Sequence, residues 1–217
     1  MGRHYTFLDR LLGEVQNALL TVFADSISTE RENPSSFCED LPLTPEERRQ
    51  SAGFMRVNHT GEVCAQALYR GQAWSAKEPA VTFFLEQASK EEQDHLGWCH
   101  ERLQELGAHR SFLNIYWYGH SFFLGWLAGQ VGDSWSLGFV EETEIQVSRH
   151  LQDHLKKLSP NDQKSFAIIE QMELDESLHA SKAKMLGAKA LPSLIKAVMQ
   201  WHSKIMTTLV YAQKDEL

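Results

Sequence analysis

The stretch Phe84-Leu85-Glu86-Gln87-Ala88-Ser89-Lys90-Glu91-Glu92-Gln93-Asp94-His95-Leu96-Gly97-Trp98-Cys99 decides how this chain is read. Residues three and four apart share one face of an α-helix. Phe84 or Leu85, Ala88, Glu92, His95 and Cys99 therefore fall on a single stripe, apolar but for one carboxylate and one imidazole. A carboxylate on such a stripe faces a core, where it is costly unless its charge is compensated. The arrangement returns in Ile169, Met172, Glu176, His179 and Ala183. A lone Glu-x-x-His is ordinarily a solvated helix face. The two units here, Glu92-Gln93-Asp94-His95 and Glu176-Ser177-Leu178-His179, gain meaning from what precedes them.

Each unit follows a predicted helix that carries a glutamate at a matching distance. Glu62 stands 30 positions before Glu92, and Glu144 stands 32 before Glu176. Met55, Glu62, Ala65 and Leu68 or Tyr69 form one stripe; Leu137, Val140, Glu144, Val147 and Leu151 form another. The chain thus holds the pattern Glu, Glu-x-x-His twice. A glutamate from each of two helices with Glu-x-x-His from two others is the ligand set of di-iron carboxylate bundles. The charge balance agrees, since two divalent irons offset four carboxylates while neutral imidazoles add ligands without charge. In the cluster Glu141-Glu142-Thr143-Glu144, Glu142 points away from the stripe and Glu141 lies about 60° off it, so Glu144 is the better ligand and Glu141 the runner-up. The three acids could instead be a patch favoured by a helix N-terminus. His59 and His150 flank ligand positions and are candidates for outer contacts to them, or ordinary histidines. His100, His109, His154 and His202 read as structural or exposed.

The surrounding signals are helical. Thr44-Pro45-Glu46-Glu47 is a capping box with proline at the first helical position, which predicts a helix from there to about Lys77. Further helices are expected over 79–106, stopped by Gly107, over 134–158, over 160–186 after Ser159-Pro160 and stopped by Gly187, and over 193–213. Residues 5–23 place Phe7, Leu8, Leu11, Leu12, Val15, Leu19 and Val22 on one face of a short amphipathic helix. Residues 25–43 lack periodicity and read as a linker. The division expected is an N-terminal helix and linker over 1–43 and one helical domain over 44–217.

Residues 111–132 contain no Asp, Glu, Lys or Arg. The length would allow a membrane span. The aromatics, mixed with Asn114, His120, Ser121 and Gln130, fit an interfacial helix better. A buried core helix is the third reading. Phe122 and Trp126 are the side chains expected to meet a membrane surface.

Composition excludes several classes. The 217 residues carry a formal net charge of -8 and no basic tract, which argues against a nucleic-acid partner. Cys38, Cys64 and Cys99 have no metal-ligand spacing and form no even disulfide set, so a reducing compartment is expected. Asp9, Arg10 and Glu14 interrupt the first apolar residues, unlike a secretory signal. Met1-Gly2 with Thr6 matches the loose myristoylation pattern, for which chance is the better explanation. Neither a phosphate-binding glycine loop nor a nucleophile elbow is present.

Met55-Arg56-Val57-Asn58-His59-Thr60-Gly61-Glu62, followed by Tyr69-Arg70-Gly71-Gln72, resembles the first-helix signature of the demethoxyubiquinone hydroxylases of ubiquinone biosynthesis. Glu92-Gln93-Asp94-His95-Leu96 and Glu176-Ser177-Leu178-His179 resemble that family's two Glu-x-x-His motifs. The likeness covers roughly residues 50 to 217 and leaves out 1–43, to which no function is assigned. It implies an all-α, ferritin-like four-helix bundle with extra terminal helices and a hydrophobic crossover helix, the segment 108–132 being the long crossover connection. It implies two iron ions (Fe2+), with Glu62, Glu92, His95, Glu144, Glu176 and His179 as ligands and Glu92 and Glu176 bridging. The implied activity is O2-dependent hydroxylation of a polyprenylated methoxy-methyl-benzoquinol, demethoxyubiquinol. The family also implies peripheral attachment to a membrane, on the cytoplasmic side of the cell membrane in a bacterium, with the 111–131 segment guiding the prenyl tail. Many members have Asp where this chain has Asn58.

With no dinucleotide fingerprint present, electrons would come from the reduced substrate or an external donor, and other ubiquinone-biosynthesis proteins are further partners. Two other functions use the same residues differently. An iron-storing or peroxide-scavenging protein would keep the ligands without a lipid-facing entrance. A metal-free structural bundle would leave four core carboxylates uncompensated, at several kcal/mol each.

Overall fold

The computed structural model describes residues 6–39 and 41–214. Met1-Gly2 of the myristoylation pattern and Tyr5 at the expected helix start lie outside these. Thr44 caps the first long helix as expected: Glu47 N–H donates to Thr44 Oγ1 at 3.3 Å, and the Thr44 N–H donates to Glu47 Oε2 at 2.8 Å. Helix α1 spans Phe7–Phe23, α2 Pro45–Ser75, α3 Pro79–Glu105, α4 Asn114–Val131, α5 Asp133–Lys157, α6 Gln163–Met185 and α7 Ser193–Tyr211, with a short 3-10 turn at Pro34–Phe37. No strand occurs among the described residues. The start of α6 differs from expectation by three residues. Asp162, not Ser159, is its cap, accepting from Ser165 N–H at 3.0 Å, while Ser159 Oγ is engaged by Glu47 at 2.6 Å.

Helices α2, α3, α5 and α6 form the four-helix bundle, with α2 against α3 and α5 against α6. Its core divides into two apolar clusters. One contains Met55, Trp98, Cys99, Leu151, Ile169 and Met172; the other contains Tyr69, Leu85, Ala88, Leu137, Val140 and Ala183. Each of the four helices contributes to both, and the glutamates and histidines of the two motifs lie between the two contributions along every helix.

The uncharged segment forms the crossover α4, which lies along α2. Its small residues face inward: Ser121, Gly125 and Gly129 are buried. A Cβ on Gly71 of α2 would collide with the backbone of Phe122 and Trp126, and one on Gly125 with that of Leu68, so the two helices touch backbone to backbone. Trp117 and Tyr118 are buried with these small residues, while Ile115, Tyr116, Phe123, Leu127 and Val131, and Phe112 just before the helix, are exposed. The helix is therefore neither a buried core rod nor a span; no helix among the described residues is long and apolar enough to cross a membrane. Phe122 and Trp126 are half-buried, Phe122 against Trp74 of α2. They are not the most outward side chains, because the glycine face turns them towards α2.

Helix α1 docks through its polar side. Arg70 donates to Glu14 at 2.7 Å, Thr21 donates to Gln66 at 3.1 Å, and Arg10 lies over Trp74. Its apolar face, with Phe7, Leu8, Leu11, Leu12, Val15 and Leu19, is turned outward, and only Val22 of that set is buried. Helix α7 flanks α4 on the other side, with His202 stacked on His120 and an exposed row of Leu194, Val198 and Trp201.

Candidate metal centre

All six residues singled out by the repeated pattern meet at one buried place. Glu62, Glu92, His95 and Glu176 form one group and Glu92, Glu144, Glu176 and His179 a second; within each, one ligand atom per residue lies within 4.8 Å of the others. Every one of the six is at most 2% exposed. Glu92 and Glu176 belong to both groups, as a bridging pair would. The two histidines present Nδ1 inward: His95 Nδ1 is 3.0 Å from Glu92, 3.6 Å from Glu176 and 3.7 Å from Glu62. His179 Nδ1 is 3.1 Å from Glu92 and 3.5 Å from Glu176.

Their outer nitrogens are held by acids. His95 Nε2 is 2.9 Å from Asp175, and His179 Nε2 is 2.7 Å from Glu91. A carboxylate on the outer nitrogen fixes the imidazole tautomer and orientation and leaves the other nitrogen free to bind a metal. Tyr69 O–H donates to Glu144.

The donor set fits cations. Glu62 Oε2, Glu92 Oε1, Glu176 Oε2 and His179 Nδ1 are buried and make no hydrogen bond, although Glu92 Oε1 and His179 Nδ1 are only 3.1 Å apart. Burial, then Glu92, pushes Glu62 well up from the usual carboxylate range, and burial, then Glu176, does the same to Glu144. For Glu92, burial is outweighed by the adjacent imidazoles of His179 and His95, which hold it well below that range. For Glu176, burial and Glu92 are outweighed by the same two imidazoles and Glu144. Both histidines are pushed up despite burial, His95 by Asp175, Glu176, Glu62 and Glu92, and His179 by Glu176, Glu91 and Glu92. Two divalent cations would offset the charge of the four carboxylates, and a metal binding groups that are held protonated releases their protons.

Glu144, not Glu141, is the α5 member of the cluster. Glu141 is only half-buried, and Glu142 faces α7, where Lys196 pairs with it at 2.5 Å. His59 and His150 do not carry the outer contacts: His59 lies against Asn114 and His100, and His150 against His154. Asp175 and Glu91 carry them instead. Their position immediately before Glu176 and Glu92 was the available signal. His100 Nε2 donates to the Asp25 carbonyl at 3.1 Å, His154 stacks on Phe54, His202 stacks on His120, and His109 is exposed. Asn58 is buried with both side-chain polar atoms outside any hydrogen bond.

A cleft of about 720 Å³ lies between α1, α2 and α3. Leu20, Ile27, Ala73, Leu85 and Leu96 give it apolar walls, Gln66, Arg70 and Lys90 give it polar ones, and Tyr69 lines it. Through Tyr69 the cleft is one side chain from Glu144.

The sequence matches the family model for ubiquinone biosynthesis protein COQ7 over residues 49–210. It is 54% identical over 210 residues to the 3-demethoxyubiquinol 3-hydroxylase of Coxiella burnetii (strain CbuG_Q212), covering 97% of each chain. The enzyme of that name from Nitrosococcus oceani is 50% identical over 210 residues, covering 97% of this chain and 98% of the relative. That from Xanthomonas euvesicatoria pv. vesicatoria (strain 85-10) is 50% identical over 209 residues, covering 96% of each. With 210 of 217 residues aligned, the similarity takes in most of residues 1–43, which the motif-based resemblance leaves out.

Proposed function

The chain belongs to the family of ubiquinone biosynthesis protein COQ7, and from that premise we propose that it is an O2-dependent 3-demethoxyubiquinol 3-hydroxylase whose six clustered side chains hold two iron ions. The substrate is a polyprenylated quinol lacking one ring oxygen, which the enzyme inserts. The observation that carries the reading is the pair of buried four-residue groups sharing Glu92 and Glu176.

Bound there, iron supplies the O2 activation and oxygen insertion that no side chain of the cluster could perform alone. The protein's own part is positional. Glu92 and Glu176 fix the separation of the two sites. Asp175 and Glu91 lock the two imidazoles with Nδ1 inward. Tyr69 holds the Glu144 carboxyl in place by donating to it. The apolar clusters on either side keep water from the centre. The cleft beside Tyr69 is the approach for the quinol ring. Electrons would come from the reduced substrate or an external donor.

Attachment to a membrane surface belongs to the same reading. Helices α1, α4 and α7 carry outward-facing Leu8, Leu12, Phe123, Leu127, Val198 and Trp201, and α4 sits between the other two. Exposed apolar faces rich in aromatics suit insertion into the headgroup region. Such a peripheral position, on the cytoplasmic face of the membrane in a bacterial cell, would bring the polyprenyl tail to the cleft beside α1. An iron store would gain nothing from it.

The test is aerobic turnover of iron-loaded protein with a demethoxyubiquinol. A product heavier by one oxygen atom, formed with O2 and lost on iron removal, is expected. Iron oxidation with unaltered quinol would favour storage instead.

A further inference from the structure

The segment between α1 and the 3-10 turn is strapped across the outside of the bundle. Gln93 donates to the Ser28 carbonyl at 2.7 Å, and the Glu30 N–H donates to Asp94 at 2.6 Å. At the centre of the strap is Arg31. Its Nε donates to Asp94 of α3 at 2.8 Å and its Nη1 to Asp175 of α6 at 2.7 Å. Its Nη2 is 3.3 Å from His95 Nε2, and the guanidinium lies 4.9 Å from the Trp98 ring centroid. Both carboxylates are buried, with side chains 4% and 8% exposed.

The oxygen of Asp175 that receives Arg31 is the same Oδ2 that holds His95 Nε2. One guanidinium thus neutralises the acid that orients one ligand and ties α3 to α6 beside it. A planar, permanently charged fork is suited to two carboxylates at once. The other ligand histidine is backed differently. Its partner Glu91 is 35% exposed, with the flexible Lys182 at 3.7 Å, and Arg31 acts on it through charge alone, without a hydrogen bond.

We propose that Arg31 is a positioning residue for the metal position built on Glu62, Glu92, His95 and Glu176, and that the strap makes the two metal positions unequal. This rests on the reading of the six side chains as metal ligands. Without Arg31, Asp175 would sit uncompensated beside Asp94 and would move towards solvent, releasing His95 Nε2. The position built on Glu144 and His179 would keep its own support from Glu91 and Tyr69. Loss of an outer partner of a ligand histidine costs about 10- to 100-fold in metal affinity.

The experiment is an anaerobic titration of full-length, metal-stripped protein with cobalt(II), followed by visible absorption. The parent, Arg31→Ala and Arg31→Lys are compared. The parent is expected to take up two equivalents. In Arg31→Ala one equivalent should weaken by about 10- to 100-fold while the other is unchanged. Arg31→Lys keeps the charge without the fork and should weaken the same equivalent by less. It also carries the test alone if the alanine variant does not fold. Two equivalents bound as in the parent, or both weakened by the same factor, would overturn the proposal. A parent that binds no cobalt pair would overturn the ligand reading itself, and this inference with it.

Discussion

Asp175 Oδ2 meets His95 Nε2 at 2.9 Å across the bundle. The acid immediately precedes one Glu-x-x-His unit, and the imidazole closes the other. The converse pair, Glu91 and His179, meets at 2.7 Å. The two units therefore interlock, each steadying the other's histidine from a facing helix. Asp175→Ala is expected to lower metal affinity at the His95-bearing position by about 10- to 100-fold with helix content unchanged. A metal titration beside a circular dichroism spectrum checks this, and parent-like affinity would contradict it.

Tyr69 is wholly buried and donates to Glu144 from the neighbouring helix. Tyr69→Phe should destabilise the fold by about 1–3 kcal/mol, the usual penalty of leaving a buried acceptor unmet. Chemical denaturation of the metal-stripped chain measures it. Equal midpoints for variant and parent would show that Glu144 needs no donor.

Two histidines are buried where they resist a proton. Burial, with His150 and Lys157 adding to it, pulls His154 down to about 2; burial, with His100 and Arg110, pulls His59 down to about 3. An unfolded chain has ordinary histidines near 6.5 and so binds more protons than the folded one below that pH. Stability from these groups is complete above about 6.5 and is lost as pH falls, at up to about 1.4 kcal/mol per pH unit per histidine. The contribution of these two histidines to the melting temperature should therefore fall on acidification below about pH 6.5, and His154→Leu should reduce that contribution to the slope. An unchanged slope would remove His154 from the acid response.

The outward faces of α1 and α4 yield a binding prediction. A Leu or Phe side chain moved from water into an apolar layer contributes about 1.5–3 kcal/mol. Replacing Leu8, Leu12, Phe123 and Leu127 with Asp should thus lower partitioning onto lipid vesicles by far more than tenfold, with metal content unaltered. Co-sedimentation with vesicles is the assay. Undiminished binding would mean that these faces meet something other than lipid.

What could be read from the sequence follows the range of the interactions. The capping box at Thr44 is local, and α2 begins where it says. Glu92 and His95 share a helix turn, so their common face needs only periodicity, and the second unit with Glu62 and Glu144 supplies the rest. Arg31 lies in a stretch without periodicity, and its partners are 63 and 144 residues away. No spacing rule reaches it. Tyr69 was legible only as one of two neighbours on the α2 stripe, because one hydroxyl leaves no mark on an apolar pattern. The orientation of α1 is a tertiary fact: its amphipathic pattern marks an apolar face but not whether that face meets the bundle. The Glu14 to Arg70 pair decides it by turning the polar side inward.

Glu176 belongs to both four-residue groups, so it tests the whole centre at one position. Iron content per chain, measured on purified parent and Glu176→Ala after anaerobic loading, is the direct measurement. Two irons in the parent and loss of the pair in the variant are expected. A variant that still holds two irons with an unchanged spectrum would show that these six side chains are not the ligands.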